Sequence, residues 1–335
     1  MQSQQLHTRP PGRPAARPPA AAQQQRARRA PARVLCSGAS GGALPSGSSD
    51  EPAPRATPGS VVYRGKQGGS LKQPAFPLAV PLLPFPADDV LVPGGTKILH
   101  LYEARYLSLL ERALKADPPV FCHVAVEQPI DPGSSTTARL PGALVGGDFA
   151  LALATLVQVV EVKAQGVGAL VRVQAEGRAA VESLKQLQPY IAGAVSPLLD
   201  DPVPAGGVDA ALRSADELEA MLRECADMCA RFGGTEAAAL QQATLWAERR
   251  PLMPSLPAGP HADALERANR LAWAALSPMP QASESELRQL LRYRLAAMAA
   301  TSLPDRLQLA RASLEAARGM LSARIALKSL NIGAP

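Results

Sequence analysis

The chain has 335 residues, of which 47% are hydrophobic, and its formal net charge is +6 at pH 7. This hydrophobic fraction is enough for a packed core and excludes a wholly disordered protein. Proline, glycine or charged residues interrupt every long apolar stretch before the roughly 18 residues that a transmembrane helix needs. Four scattered cysteines are too few for a disulfide framework.

The positive charge is concentrated in the N-terminal tail. Residues 1–49 contain seven arginines and no acidic residue, and removing their charge of +7 from the total of +6 leaves −1 for residues 50–335. A nucleic-acid-binding domain normally carries its basic surface on its folded part. Aromatic residues, which stack on bases, make up only 4% of the chain. We therefore expect no nucleic-acid partner.

Residues 1–60 have the composition of an organellar targeting segment. They contain ten prolines and few large aliphatic residues, and they lack the continuous apolar region of a secretory signal. The segment Arg33-Val34-Leu35-Cys36-Ser37 resembles plastid processing sites, which suggests a chloroplast protein. A mitochondrial presequence is the alternative, although five prolines between positions 10 and 19 oppose an amphipathic helix. A basic disordered tail that stays on the protein is a third possibility.

Residues 75–203 have the pattern of a small β-rich domain. The hydrophobic but proline-rich segment 76–86 predicts an edge strand or an irregular β segment. Pro93-Gly94-Gly95 predicts a turn, and the apolar spacing of residues 106–114 predicts a helix. A hairpin is predicted from the strand-like segments 151–162 and 169–175 around a glycine-containing turn. Further short strands are predicted at 96–101, 120–126 and 190–195.

Residues 208–330 have the pattern of a helical subdomain. Five amphipathic segments are separated by glycine or proline signals, and Ser283 with Glu286 forms a capping-box pattern at the start of the fourth. In the fifth, Leu307, Leu314 and Leu321 belong to an apolar stripe with steps of three and four residues, which is typical of packed helices. The predicted helices are 208–232, 235–250, 261–276, one from 283, and one from 302 to about 330.

Several short motifs resemble the N-terminal domain of Lon proteases. They are Pro81-Leu82-Leu83-Pro84, Val92-Pro93-Gly94, the run from Leu99 to Tyr106, and Glu176-Gly177-Arg178 followed by Pro189-Tyr190. The resemblance covers residues 75–203 and extends more loosely to 330, and it is to stand-alone plant, algal or cyanobacterial members without ATPase and peptidase domains. The chain departs from the family pattern at Ala104, where the family has proline, and at Ala179-Ala180, where it often has Arg-Phe.

The resemblance implies an α+β fold, namely a PUA-like small β-barrel with one helix followed by an all-helical subdomain. It implies a role in recognising polypeptide substrates. We expect the residues of the family signature to be structural rather than catalytic, with Glu103 and Arg105 anchoring the start of the first helix. The signature residues are Pro93, Gly94, His100, Tyr102, Glu103, Arg105, Tyr106 and Gly177.

No motif in the sequence supports a catalytic or cofactor-binding site. The nearest candidate for a phosphate-binding loop is Gly65-Lys66, but Gln67 follows it and Ser60 stands where the first glycine is required. Cys225 and Cys229 share a helical face and could bind zinc together with Cys122-His123. Their position on an apolar stripe favours packing instead. We therefore expect no catalytic residue, no cofactor and no bound metal.

The sequence thus predicts a non-catalytic module that binds exposed or unfolded polypeptide segments. It could also act as an adaptor to a separate protease or chaperone in organellar protein quality control. The alternative is a dedicated subunit or assembly factor of a single plastid complex. Both functions use protein partners, and neither needs a membrane-spanning segment.

Overall fold

The computed structural model of the chain describes residues 60–65, 73–86, 88–127, 141–145, 149–231, 237–250, 252–279 and 282–332. The targeting segment predicted for residues 1–60, apart from Ser60, lies outside this range. The strands are β1 (Val61–Arg64), β2 (Leu78–Pro86), β3 (Thr96–Leu101), β4 (Val120–Glu127), β5 (Leu144–Val145), β6 (Ala150–Ala164), β7 (Ala169–Gln186) and β8 (Ile191–Pro197). The helices are α1 (Ala104–Leu114), α2 (Val208–Ala230), α3 (Ala237–Ala247), α4 (Ala262–Ala274), α5 (Glu284–Ala299) and α6 (Leu303–Ile332).

Five of the strands close a small barrel. Each strand in the order β6, β4, β2, β8, β7 pairs with the next, and β7 pairs back with β6. The β2–β4 pair is parallel and the other pairs of this ring are antiparallel. The α+β class that the resemblance implied is confirmed.

The predicted edge position of the proline-rich strand was wrong. Strand β2 lies inside the sheet, with β4 on one side and β8 on the other. Pro81 is paired with Ala192 and Pro84 with Val124, so each proline costs the ladder one possible amide hydrogen bond. Between these prolines lie buried leucines, and burial of this apolar strand inside the barrel outweighs the lost hydrogen bonds.

The β6–β7 hairpin extends beyond the barrel and carries one further strand on each side. Strand β1 pairs with β6 and β3 pairs with β7, which gives a four-stranded sheet in the order β1-β6-β7-β3. On one face of this sheet, Leu99 and Val171 belong to the same buried apolar cluster as Leu109, Leu110 and Ala113 of helix α1. The helix predicted at residues 106–114 is therefore confirmed, whereas β1 was not predicted.

Helices α2, α4 and α6 form the core of the helical part. Four residues of the stripe predicted in the last helix are buried in the shared apolar core, namely Leu307, Ala310, Leu314 and Leu321. The capping box is also confirmed, because Ser283 accepts a hydrogen bond from the Glu286 amide and the Glu286 side chain accepts one from the Ser283 amide. Among the described helices, none is both long and apolar enough to cross a membrane.

Candidate functional site

Three consecutive residues of β7 join the barrel to the helices. A β-bulge leaves Glu176 without a partner on β6, since Ala175 pairs with Val157 and Gly177 pairs with Leu156. The carboxylate of Glu176 then accepts a hydrogen bond from the indole nitrogen of Trp246 at 3.4 Å. The Glu-Gly-Arg motif is thus part of the contact between the two halves of the fold.

Gly177 and Arg178 continue this contact. A Cβ atom at Gly177 would lie 3.0 Å from the Cβ atom of Met253, so the chain after α3 packs directly on the strand backbone. The guanidinium of Arg178 donates hydrogen bonds to the carbonyl oxygens of Met298, at 2.9 Å, and Ala300, at 2.7 Å. It therefore satisfies carbonyl groups at the C-terminal end of α5, where the helix itself supplies no donors.

Two buried arginines share the carboxylate of Asp200. Arg178 of β7 and Arg306 of α6 both form ion pairs with it, and the Nη2 atom of Arg306 lies 2.8 Å from its Oδ1 atom. Arg306 also donates to the side-chain oxygen of Asn269 at 2.7 Å, and its guanidinium lies 4.7 Å from the ring of Trp273. This network, which we call the joint network (Arg178, Asp200, Asn269, Trp273 and Arg306), connects barrel, linker and helices.

Burial changes the ionisation of two groups at this contact. It raises the pKa of Glu176 to about 7, although the hydrogen bond from Trp246, the charge of Arg249 and the Leu252 amide act in the opposite direction. Burial, and then the neighbouring charge of Arg306, lower the pKa of Arg178 to about 10. Arg178 therefore remains charged at neutral pH, whereas Glu176 titrates there.

Pro93 and Gly94 form the turn that leads into β3. Gly94 has φ of 79°, a conformation that side chains with a Cβ atom rarely adopt, and its amide donates to the Ala175 carbonyl at 3.0 Å. A Cβ atom at Gly94 would lie 2.7 Å from the Cε3 atom of Trp246. This signature glycine therefore provides the space in which Trp246 packs.

The other signature residues lie at the end of β3 and the start of α1. The Nε2 atom of His100 lies 3.0 Å from the Val167 carbonyl oxygen, and the His100 ring is 5.5 Å from the ring of Tyr102. Arg105 donates to the Glu103 carboxylate at 2.7 Å, which raises the pKa of Arg105. The Glu103–Arg105 pair is local in the sequence, whereas His100 connects the end of β3 to the β6–β7 turn.

The signature residues consequently do not converge on a single site. Gly94 and Gly177 accommodate residues of the helical part, whereas the side chains from His100 to Tyr106 contact one another and the β6–β7 turn. Tyr106 is stacked under the Arg105 guanidinium at 4.5 Å, and burial raises its pKa. None of these contacts places an acid, a base and a nucleophile together.

A second polar cluster surrounds His123 and was not found from the sequence. The imidazole stacks on Phe85 with ring centroids 3.9 Å apart, and its Nε2 atom lies 3.4 Å from the Lys97 ammonium. Lys97 in turn donates to both carboxylate oxygens of Asp89 at 2.6 Å. Burial and then the Lys97 charge lower the pKa of His123 to about 3. A histidine that stays neutral at physiological pH has a packing role here.

The cysteines proposed as an alternative zinc site are separate packing residues. Cys122 is buried in the barrel, where burial strongly raises the pKa of its thiol, and Cys225 and Cys229 belong to the core of the helical part. Burial also raises the pKa values of Cys225 and Cys229, which disfavours the thiolate that a metal requires. Within the described ranges, no group of three or more His, Cys, Asp or Glu side chains is placed to hold a metal ion.

An apolar concavity lies between α5 and α6, and we call it the α5–α6 groove. Its cavity has a volume of about 80 Å³. Two of its residues, Leu287 of α5 and Met320 of α6, keep 45% and 44% of their surface exposed. The groove is lined by Ala275, Ser277, Met279, Ala282, Glu286, Leu287, Gln289, Leu290, Tyr293, Ser313, Ala316, Ala317 and Met320.

The acidic residue at the edge of this groove is already paired. Glu286 accepts hydrogen bonds from the amide and hydroxyl of Ser283 at 2.7 and 2.6 Å, and it forms an ion pair with Arg324. These hydrogen bonds and the Arg324 charge lower its pKa, against the effect of burial. The groove therefore presents apolar side chains without an unpaired carboxylate, and no residue pattern in the sequence marked it as a site.

Residues 79–316 match the family model of the ATP-dependent protease La (LON) substrate-binding domain. One solved structure, the N-terminal domain of Mycobacterium avium complex Lon protease, is 14% identical, with 71% of this chain and 98% of that chain covered and a TM-score of 0.36. A Lon N-terminal domain protein from Xanthomonas campestris is 20% identical, with 70% and 98% covered and a TM-score of 0.35. Among curated protein sequences there is no match.

Proposed function

The chain belongs to the family of LON substrate-binding domains, and on this basis we propose that it is a non-catalytic module that binds exposed or unfolded segments of other polypeptides. The observation that supports this function is the α5–α6 groove. Leu287 and Met320 stand on opposite walls, and both remain accessible to a partner. Exposed apolar side chains beside a concavity are typical of protein interaction sites.

The size of the groove favours a side chain over a small molecule. Pockets for small ligands commonly have volumes of about 300–1,000 Å³, whereas this cavity has about 80 Å³. An apolar side chain of an extended or helical client can enter such a space while the rest of the client stays outside. Met279 and Met320 add flexible thioethers, which adapt to side chains of different shape.

Two other cavities of the described residues lack this feature. One, of about 190 Å³, lies between the start of β2 and the end of α1, and the other, of about 310 Å³, lies beside the linker near Val203. No large hydrophobic residue that lines either of them is exposed. The α5–α6 groove is therefore the better candidate for an apolar client.

Binding of an unfolded client tests this function. The full chain is titrated into fluorescently labelled, reduced and carboxymethylated α-lactalbumin, and fluorescence anisotropy gives the dissociation constant. Leu287→Asp and Met320→Asp should each weaken binding by roughly tenfold or more, since burial of such a side chain is worth more than 1.4 kcal/mol. Leu327→Asp, on an exposed side chain of α6 outside the groove lining, is the matched control and should leave binding unchanged.

A role as an adaptor in organellar quality control rests on what the module binds in cells. A tagged full-length chain is purified from organelle extract, and bound proteins are quantified against a tag-only control. Many unrelated proteins together with a protease or a chaperone would support the adaptor role. One protein at equal stoichiometry would instead support a dedicated subunit of a single complex.

The proposed compartment is the chloroplast, with the mitochondrion as the alternative. The support is the composition of residues 1–60, which are rich in arginine and proline and contain a single aspartate and a single glutamate. Fusion of these residues to a fluorescent reporter tests the proposal. A plastid signal is expected, and a cytosolic signal would contradict import.

A further inference from the structure

One face of the four-stranded sheet β1-β6-β7-β3 contributes Leu99, Val162 and Val171 to the apolar cluster that includes residues of α1, and the other face does not. On this other face the register places Ile98, Arg172, Glu161 and Arg64 as successive cross-strand neighbours. His100, Leu170, Lys163 and Val61 form the next row in the same way. We call these eight residues the outer sheet face. On β3, β6 and β7 these residues alternate with buried ones, so this face is directed away from the core.

Three cations on this face share a single carboxylate. Glu161 lies 3.3 Å from Arg172, 3.5 Å from Arg64 and 3.9 Å from Lys163. Among the described residues, no other carboxylate forms an ion pair with any of the three cations. The outer sheet face therefore carries two unbalanced positive charges, although residues 50–335 as a whole have a net charge of −1.

The cations also retain unused donors. The Arg64 side chain is 73% exposed and the Arg172 side chain is 34% exposed, although the Nε atom of Arg172 is itself buried and out of reach of a partner. Each guanidinium has five N–H donors arranged to fit carboxylate oxygens, and each here has one long contact to Glu161. The terminal nitrogens of both arginines can thus donate hydrogen bonds to a second carboxylate without losing an existing partner.

Apolar side chains flank these charges. Ile98 is 67% exposed and Val61 is 44% exposed, one on each outer strand. A partner that contacts the face across its four strands therefore meets an apolar residue at each side and cations between them. This order fits a polypeptide segment in which acidic and aliphatic residues alternate.

We propose that the outer sheet face is a docking surface for an acidic polypeptide segment, distinct from the α5–α6 groove. Carboxylates of the segment would contact Arg64 and Arg172, and its aliphatic side chains would cover Ile98 and Val61. Nucleic acid fits less well, because the two rows contain no Phe, Tyr or Trp for base stacking and only three cations for phosphates. The outer sheet face thus selects partners by their negative charge, whereas the α5–α6 groove selects them by their apolar side chains.

The test uses the full chain and two labelled peptides of twelve residues, one alternating Glu with Val and the other alternating Lys with Val. Fluorescence anisotropy at low ionic strength should detect binding of the acidic peptide alone, and added salt should weaken it because the charges are exposed. The Arg64→Gln, Arg172→Gln double variant should weaken binding by about tenfold, because it removes the two cations that the carboxylates of the peptide would contact. Arg288→Gln on α5 removes a charge elsewhere and should leave binding unchanged.

Glu161→Gln is the sharpest variant. It removes the carboxylate that competes with the peptide for the three cations, so binding should become tighter, which loss of folding would not produce. Leu287→Asp in the groove should have no effect, so that failure of the groove and failure of this surface are distinguishable. The proposal would be overturned if the Glu161→Gln variant bound the acidic peptide no more tightly than the wild type, or if both peptides bound equally. Tighter binding of a labelled single-stranded oligonucleotide than of the acidic peptide would also overturn it.

Discussion

The Cα atom of Gly94 faces the indole ring of Trp246 so closely that a Cβ atom would lie 2.7 Å from the ring carbon Cε3. The turn before β3 and the last turn of α3 are therefore in direct contact. Glycine is required at position 94 for two reasons: a Cβ atom would clash with Trp246, and the φ of 79° is one that other residues rarely adopt. The end of the helix predicted at 235–250 thus packs against the turn predicted at 93–95, more than a hundred residues earlier in the chain.

Gly94→Ala should lower the free energy of unfolding by about 2 kcal/mol or more, because it combines backbone strain with overpacking against Trp246. Urea denaturation followed by circular dichroism measures the change. Gly166→Ala is the control, since a Cβ atom there meets nothing within 4 Å, and it should change the free energy by less than about 0.5 kcal/mol. Equal effects of the two substitutions would contradict the packing described here.

Glu176 should make the stability depend on pH in an unusual direction. Its pKa is raised by burial from 4.5 to about 7 in the folded protein, so the folded state holds a proton that the unfolded chain has already released. As pH rises from about 4.5 to about 7, the free energy of unfolding should therefore fall, by about 3 kcal/mol in total from this residue.

Glu176→Gln should remove this decrease, because the amide stays neutral and still accepts a hydrogen bond. Free energies of unfolding at pH 5 and pH 8 give the comparison, with Glu111→Gln at an exposed position of α1 as the control. If the Glu176→Gln variant kept the pH dependence of the wild type, the buried carboxylate would not be its source.

The joint network should be the energetic connection between barrel and helices. Asp200→Ala leaves the guanidinium groups of Arg178 and Arg306 buried without their shared carboxylate, which should cost about 3–5 kcal/mol. Asp201→Ala is the matched control. The Asp201 carboxylate is exposed and accepts one hydrogen bond from the Thr301 hydroxyl at 2.9 Å, so its removal should lower the free energy of unfolding by about 1 kcal/mol or less.

The two tryptophans of the chain allow this connection to be followed directly. Trp246 and Trp273 are both buried in a cluster formed by barrel and helix residues. In the Asp200→Ala variant, tryptophan fluorescence should change at a lower urea concentration than the circular dichroism of the helices. Coincident transitions in this variant would show that the network does not hold the two parts together.

Elements with local signals were predicted correctly from the sequence. The Ser283 capping box and the glycine turn of the β6–β7 hairpin depend on residues within a few positions of each other, and both are confirmed. Strand β1 was missed because its four residues follow a proline-rich segment, and only pairing with β6, about a hundred positions later, defines it. The interior position of β2 was missed because proline content argues for an edge whenever the neighbouring strands are unknown.

The candidate sites could not be predicted from local sequence patterns either, because they too depend on residues that are far apart in the sequence. The α5–α6 groove depends on how two helices pack, and the outer sheet face depends on the register of four strands. Glu176 and Arg178 were recognised as part of a motif, but their partners lie far along the chain. Trp246 is 70 positions after Glu176, and Asp200 is 22 positions after Arg178. An alignment of charges across strands can be predicted only once the register is known.

Site-specific crosslinking tests the central claim, that the α5–α6 groove binds unfolded polypeptides, most directly. The photoreactive residue benzoylphenylalanine is placed at position 287 or 320 of the full chain, or at position 245, where Leu245 of α3 is 63% exposed outside the groove lining. Each protein is irradiated with carboxymethylated α-lactalbumin and with the native protein. We expect crosslinks from positions 287 and 320 to the unfolded client alone. Crosslinks of equal yield from position 245, or none from the groove, would contradict it.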